Sequence, residues 1–426
     1  MGVLEEMLDP IPLPRTLRIR QRFDDDYIAD VEAETLERLR ASGQLARIRP
    51  GQKVAITVGS RGVDRIDQIT RATVRAIKEA GGEPFIVPAM GSHGGATAQG
   101  QVEVLAHLGV TEASVGAPIR SSMEVVELGR LENGLPVYAD RIAAQEADAI
   151  VVVNRVKPHT AFRGRVESGL LKMLAIGLGK QKGAEATHQL GFGHMAENIL
   201  KMSRVMIAKL PILFGVATVE NAYDRSCLIE VVPAGLMEER EPALLEEAKR
   251  RMPRIPFDRF DVLVVDYIGK NISGDGMDPN ITGRFPTPFA KGGPEVTKVV
   301  VLDLTEETQG NANGIGAADF TTQRAVDKMD RVATYANGLT STVVAPTKIP
   351  TTLKNDCYAI KAAVKTSNIL DYTKVTLVRI KDTLHLGEIE ISESLAEAAR
   401  ALPNAEILGE PEPMAFDEAG NLAKGW

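Results

Sequence analysis

Two α/β domains with parallel or mixed sheets, and an active-site cleft between them, are what this chain of 426 residues predicts. Three observations lead there. The length exceeds what one compact core normally fills, so two domains are the natural division. The apolar runs are short, β-branched and bounded by small or polar residues, as buried parallel strands are. Between such runs stand segments whose apolar residues recur at helical spacing, the alternation of a βαβ fold. With 44% hydrophobic, 25% charged and only 4% aromatic residues, the core is aliphatic.

The first run, KVAITVGS (53–60), is followed by RIDQITRATVRAIKEAGG, a helix pattern with a Gly-Gly stop, and then by EPFIVPAMGS (83–92). Residues 53–92 therefore form a βαβ unit. ADAIVVVNRV (147–156) is a third buried strand. Ligands gather at the carboxyl ends of strands in an open parallel sheet, which places Ser60-Arg61, Ser92-His93 and Lys157-Pro158-His159 on one rim. After the charged helix EEREPALLEEAKRRM come two prolines in PRIPFDRF and a new strand, FDVLVVDYIG (260–269). The first domain is thus expected over 1–255 and the second over 258–400, with further strands at EVTKVVVLDL and KVTLVRI and a helix at DKMDRVATYANGL. The tail, 401–426, is expected to pack back onto the first domain. The long loop 268–285 again occupies a strand end, and its Lys270 and Arg284 are candidates to hold a substrate carboxylate.

A net charge of −7 supplies no global basic field, which argues against nucleic acid and anionic membranes as partners. MGVLEEMLDPIPLPRT lacks the basic-then-apolar order of a signal peptide, and no run of about 18 uninterrupted apolar residues occurs, so a cytoplasmic location is expected. Cys227 and Cys357 lie far apart outside any CxxC or CxxH pattern and read as buried thiols.

Of the six histidines, His93, His159 and His188 fall in glycine-flanked loops or turns, where function concentrates. His107 has helical spacing and His385 alternates like a strand residue, so both read as structural, while His194 fits either role. The three loop histidines read either as solvated side chains or as a metal site, since neutral imidazole suits zinc, nickel, copper or iron. Lys172 sits alone in the apolar SGLLKMLAIGLG. A lysine desolvated there becomes a nucleophile; alternatively it snorkels from a buried helix.

The ordered set is a Gly-Ser-His turn, a Lys-Pro-His after a later strand, a lysine in a glycine-rich apolar segment and a histidine sixteen residues beyond it. That set resembles the nickel-dependent lactate racemase family, over most of the first domain and loosely in the second. The resemblance implies a nickel-pincer nucleotide, a modified nicotinic acid mononucleotide whose nickel is held by one carbon and two sulfurs. It implies that Lys172 forms the covalent link to the cofactor and that His188 is the protein ligand of the nickel. Soft sulfur ligands in a square plane are acceptable nickel chemistry. His93 and His159 would be the acid–base pair, one for each face of a small α-hydroxy acid substrate. Imidazole suits that work because its unperturbed pKa, about 6.5, lets it take and give protons near neutrality. Enzymes that make the cofactor are implied partners.

The chain departs from the family at three places, one being a longer stretch between His159 and Lys172 than in familiar members. Where familiar members carry Asp-His-Thr-Arg after the first strand, this chain has Val58-Gly59-Ser60-Arg61, keeping a hydroxyl and the arginine without the acid. Ser60 and Arg61 remain candidates for the cofactor, and Arg61 also for the substrate carboxylate. In the second domain Ile268-Gly269-Lys270-Asn271 stands where the family has Pro-Gly-Gly, so the substrate is expected to be an α-hydroxy acid that need not be lactate. Two other function classes remain open: a zinc hydrolase built on His93, His159 and His188, and a non-catalytic binder of an anionic metabolite.

Overall fold

In the computed structural model, which describes residues 2–60, 62–423 and 426, the chain forms two α/β units. One is the continuous stretch Asp25–Met252, and the other joins the segments on either side of it. Strand β1 (Arg15–Gln21) precedes the continuous unit and belongs to the other one.

The continuous unit holds a five-stranded sheet made from β2 (Lys53–Val58), β3 (Glu83–Pro88) and, beyond a hairpin of β4 (Val125–Arg130) and β5 (Pro136–Asp140), β6 (Ala149–Arg155), β7 (Ile212–Glu220) and β8 (Ser226–Pro233). The order is β3-β2-β6-β7-β8, parallel throughout except for β8, which turns back on β7. The helix Ile66–Glu79 links β2 to β3 and buries Ile66, Ile69, Val74 and Ile77 against the sheet. That completes the βαβ unit expected at 53–92. Val54, Ile56, Val58, Val151, Val153 and Phe214 share the same core. Because the strands are parallel, Ser60, His93, Lys157 and His159 all follow carboxyl ends of neighbouring strands.

The second unit is built on β9 (Arg259–Ile268), β10 (Glu295–Leu304), β11 (Phe320–Thr322), β12 (Thr351–Leu353), β13 (Leu377–Ile380), β14 (Glu388–Ser392), β15 (Ala405–Ile407) and β16 (Glu412–Pro413). Its sheet runs β12-β11-β10-β9-β13-β14-β1-β15, with β16 also on β1. The half around β9 is parallel and the half around β1 antiparallel.

Both chain ends differ from the expected division. The segment before Asp24 reads as part of a domain 1–255, yet β1 pairs with β14 through Thr16 to Arg20 opposite Ser392 to Glu388. The tail, expected on the first domain, instead supplies β15 and β16 to the same sheet and packs Met414 and Leu422 into its core. The cause is edge closure: β14 would otherwise expose a row of unpaired backbone groups, and the two termini cover it. His385, which the alternation suggested for a strand, lies in the turn between β13 and β14, where its Nδ1 contacts Asp382. No helix among the described residues is long and apolar enough to cross a membrane.

Candidate active site

The site grows from the segment that follows β6. Lys157 exchanges backbone hydrogen bonds with Ser168 in a short antiparallel bridge, so the chain between them closes a loop that carries His159. The His159 amide donates to Glu167 Oε2 at 2.7 Å, and Arg163 Nη1 donates to the His159 carbonyl at 2.6 Å. Glu167 is buried, with Arg163 at 3.3 Å and the Lys249 ammonium at 3.6 Å offsetting its charge. Within the loop the Ala161 amide donates to His159 Nδ1 at 3.0 Å, so in the neutral ring the proton sits on Nε2.

Directly after the loop comes the helix carrying Lys172. It begins as one α-turn, Leu170–Lys172, and widens to π-helical geometry over Met173–Leu178, a form that clusters at functional sites. Two neighbours fix its first turn. Asn154 Nδ2, at the end of β6, donates to the Gly169 carbonyl at 2.7 Å, and the Leu171 amide donates to Glu241 Oε2 at 3.0 Å. A Cβ on Gly169 would lie 2.4 Å from Glu241 Oε1, so only glycine lets the carboxylate reach these amides. Burial raises the pKa of Glu241 to about 7, against the pull of the two amides. Lys172 is half-buried, and its ammonium donates to Ser168 Oγ at 3.4 Å.

His188 ends the next helix, Lys180–His188. Its Nδ1 bonds the Ala184 carbonyl at 2.7 Å, which makes Nδ1 the protonated nitrogen, and Nε2 makes no hydrogen bond with a described residue. Burial lowers the pKa of His188 and the Lys172 charge lowers it further, the Ala184 bond opposing both. The ring is therefore neutral near pH 7. A neutral imidazole oriented through Nδ1–H, with its other lone pair unbonded, is the state a metal ligand needs.

Phe192 joins the two histidines, with ring centroids 5.4 Å from His188 and 6.2 Å from His159. His93 and Ser60 meet on the neighbouring strand ends, where Ser60 Oγ hydrogen-bonds His93 Nδ1. Their loops touch the lysine segment. A Cβ on Gly59 would press on Met173 Cε at 2.8 Å, and the Gly91 amide donates to the Gly177 carbonyl at 3.2 Å. One segment, from Gly169 to His188, thus links the Ser60–His93 pair to the His159 loop.

Arg61 lies outside the described residues. Lys270 and Arg284 belong to the other unit, where Lys270 Nζ donates to Gly274 O at 2.5 Å and Asn337 Oδ1 at 2.6 Å, and Arg284 pairs with Asp319 at 2.9 Å. A substrate carboxylate would have to displace those partners. His107 is exposed and bonds the Glu103 carbonyl, and His194 is exposed at the start of the helix Met195–Lys209. Among the described residues no group of three His, Cys, Asp or Glu side chains is arranged to hold a metal ion. The three-histidine zinc reading therefore lacks its ligand set. A cofactor that brings its own donors to the metal asks for one protein ligand, and His188 fits that demand.

The sequence reading missed Asn154, Glu167, Ser168 and Glu241. Glu241 is hidden in a run of charged residues, and nothing local marks it as the one turned inward.

No curated protein matches the chain. Among solved structures, the lactate racemase apoprotein from Thermoanaerobacterium thermosaccharolyticum aligns with a TM-score of 0.51 at 13% identity, covering 87% of this chain and 98% of that one. A crystal structure of a protein from Thermotoga maritima aligns with a TM-score of 0.50 at 15% identity, covering 74% of this chain and 82% of that one. At such identities the likeness is one of fold. The lactate racemase N-terminal domain model matches residues 24–199, the stretch that carries Ser60, His93, His159, Lys172 and His188. Residues 24–199 are thus similar to the lactate racemase N-terminal domain, and the chain shares the fold of the lactate racemase apoprotein.

Proposed function

We propose that the protein is a racemase or epimerase of a small α-hydroxy acid that works with a lysine-tethered nickel-pincer nucleotide. The observation that carries this reading is the state of His188: neutral, held by Ala184 through Nδ1, with Nε2 unbonded and Lys172 close enough to depress its pKa. Lys172 would hold the nucleotide covalently and His188 would ligate its nickel, and Ser60 stands near enough to the lysine segment to serve the same group. When bound, the nucleotide supplies a hydride acceptor, which is chemistry no protein side chain offers.

The chain's own residues handle the proton. His159 carries its proton on Nε2 when neutral, held by the Ala161 amide on Nδ1, and so can donate it to a substrate oxygen. His93, bonded to Ser60 Oγ through Nδ1, is the second imidazole that would take or give a proton. Inversion requires the hydroxyl proton to be removed on one face and returned on the other, and two histidines on different strand ends provide two such groups. The buried Glu167 holds the His159 backbone, and Phe162, with its ring 4.3 Å from His159, shields that imidazole from water.

The deciding experiment is co-expression with cofactor-making enzymes, followed by intact mass spectrometry and assay with a panel of α-hydroxy acids. An adduct on Lys172 together with racemisation of at least one acid is expected. Zinc without any lysine adduct would reject the reading in favour of a hydrolase, and an adduct-free chain that binds acids without racemising them would favour a binding protein.

A further inference from the structure

Eight residues beyond Lys172 stands a second lysine that the sequence reading passed over. Lys180 has no exposed surface, and its backbone is left-handed, with φ +56°. Both features are costly for a lysine. Its ammonium donates to the Pro88 carbonyl at 2.5 Å and to Gln101 Oε1 at 3.0 Å, and Asp140 Oδ2 lies 3.3 Å away as a fully buried ion-pair partner. Burial lowers the pKa of Lys180 and raises that of Asp140, and each partner's charge opposes the other's shift.

Gln101 is equally buried, and its donors go elsewhere: Nε2 bonds the carbonyl of Gly91 at 2.9 Å and that of His93 at 3.3 Å. The ammonium decides which way this amide points. A cation demands the oxygen, so the nitrogen must face the two carbonyls. A buried ion pair is weak evidence for stability, because an apolar pair of the same volume often does as well. An apolar pair would not orient Gln101, and this is the difference that gives the lysine a role.

We propose that Lys180 is a positioning residue that, through Gln101, sets the loop Gly91–His93 in register with the helical segment carrying Lys172 and His188. The proposal rests on His93 being one of the acid–base groups. The chain of contacts runs from the helix start at Lys180, through Gln101, to the His93 backbone, while the Gly91 amide on the Gly177 carbonyl closes the same connection from the other side. Pro88 and Asp140 anchor the ammonium to the ends of β3 and β5.

Gln101→Leu tests this in the cofactor-loaded protein, since it cuts the link and leaves the ion pair in place. Adduct mass and nickel content should stay at wild-type levels. Amide exchange in the peptide 89–97 should speed up about tenfold or more, with the β2 and β6 peptides unchanged. The kcat should fall by up to about 10²-fold with KM unaltered, as displacement of a proton-transfer group predicts. Lys180→Met, if it folds, should show the same exchange pattern; if it does not fold, Gln101→Leu decides alone. Unchanged exchange in 89–97, or faster exchange with a wild-type kcat, overturns the proposal. If the wild type racemises nothing, the functional reading fails, yet the exchange result still judges the Lys180–Gln101 link.

Discussion

Glu241 Oε2 accepts the amide proton of Leu171 at 3.0 Å, one residue before Lys172, while its buried Oε1 has no hydrogen-bond partner among the described residues. The carboxyl thus caps the first turn of the lysine helix at the cost of a buried, half-satisfied acid. Its pKa, raised by burial from 4.5 to about 7, turns that cost into a pH dependence. Between those two values the unfolded chain has lost the Glu241 proton and the native protein keeps it. Native stability therefore falls as pH rises through the window, by at most about 3 kcal/mol from this group. Glu241→Gln removes the titration. Urea unfolding of wild type and variant at pH 5 and pH 8 should show the variant gaining relative stability at the higher pH; an identical pH response in the two would show that Glu241 does not titrate in this range.

A glycine within the π-helical turns makes a second, local test. A Cβ on Gly177 would lie 2.6 Å from the Ala89 carbonyl oxygen and 2.6 Å from Met173 Sδ, and the backbone oxygen has little freedom to retreat. Gly177→Ala should destabilise by about 1–3 kcal/mol, the usual range for overpacking. Gly235→Ala, where nothing lies within 4 Å, is the matched control and should be near neutral. Equal denaturation midpoints for the two variants would mean the segment is not packed as described.

The tether and the metal ligand should separate cleanly. Lys172→Ala is expected to abolish covalent attachment, because no other amine replaces it. His188→Ala should retain the adduct and lose nickel, since Lys172 remains while the oriented imidazole is gone. Intact mass and metal content after co-expression with the cofactor-making enzymes read both. Full adduct and full nickel in both variants would remove these residues from their assigned roles.

How far the sequence disclosed all this depends on the range of the interactions involved. The strands β2, β3, β6, β9 and β10 were legible because burial on both faces writes an uninterrupted apolar run. The termini were not: whether β1 serves one sheet or another depends on which edge is open, and that is settled by partners such as Ser392 and Glu388, more than 360 residues away in the chain. Among site residues, Ser60, His93 and His159 stood out beside glycines at strand ends and Lys172 as a lone charge in an apolar segment, while His188, expected in a loop, ends the helix Lys180–His188. Lys180 and Glu241 did not, because in GKQKGAEA and EEREPALLEEAKRR a buried charge looks like its solvated neighbours. Only the facing residues, Asp140 and Gln101 for one and the Leu171 amide for the other, distinguish them.

The two acid–base histidines give the sharpest test of mechanism. If each serves one face of the substrate, replacing either His93 or His159 stops interconversion in both directions, since every turnover needs proton removal on one side and delivery on the other. General acid–base help is typically worth about 10²- to 10⁴-fold, so each variant should fall by that range while keeping its adduct and nickel. His159→Gln is the informative replacement, because the Glu167 and Arg163 contacts are to the His159 backbone and survive the change. For His93 the partner serves as the check: Ser60→Ala should reduce the rate less than His93→Gln, as the hydroxyl orients Nδ1 without carrying the transferred proton. His107→Ala, an exposed helix-end change, should leave activity per folded molecule at the wild-type level. Near-wild-type rates for the His93 variant on the preferred acid would remove His93 from proton transfer and leave a one-base scheme centred on His159.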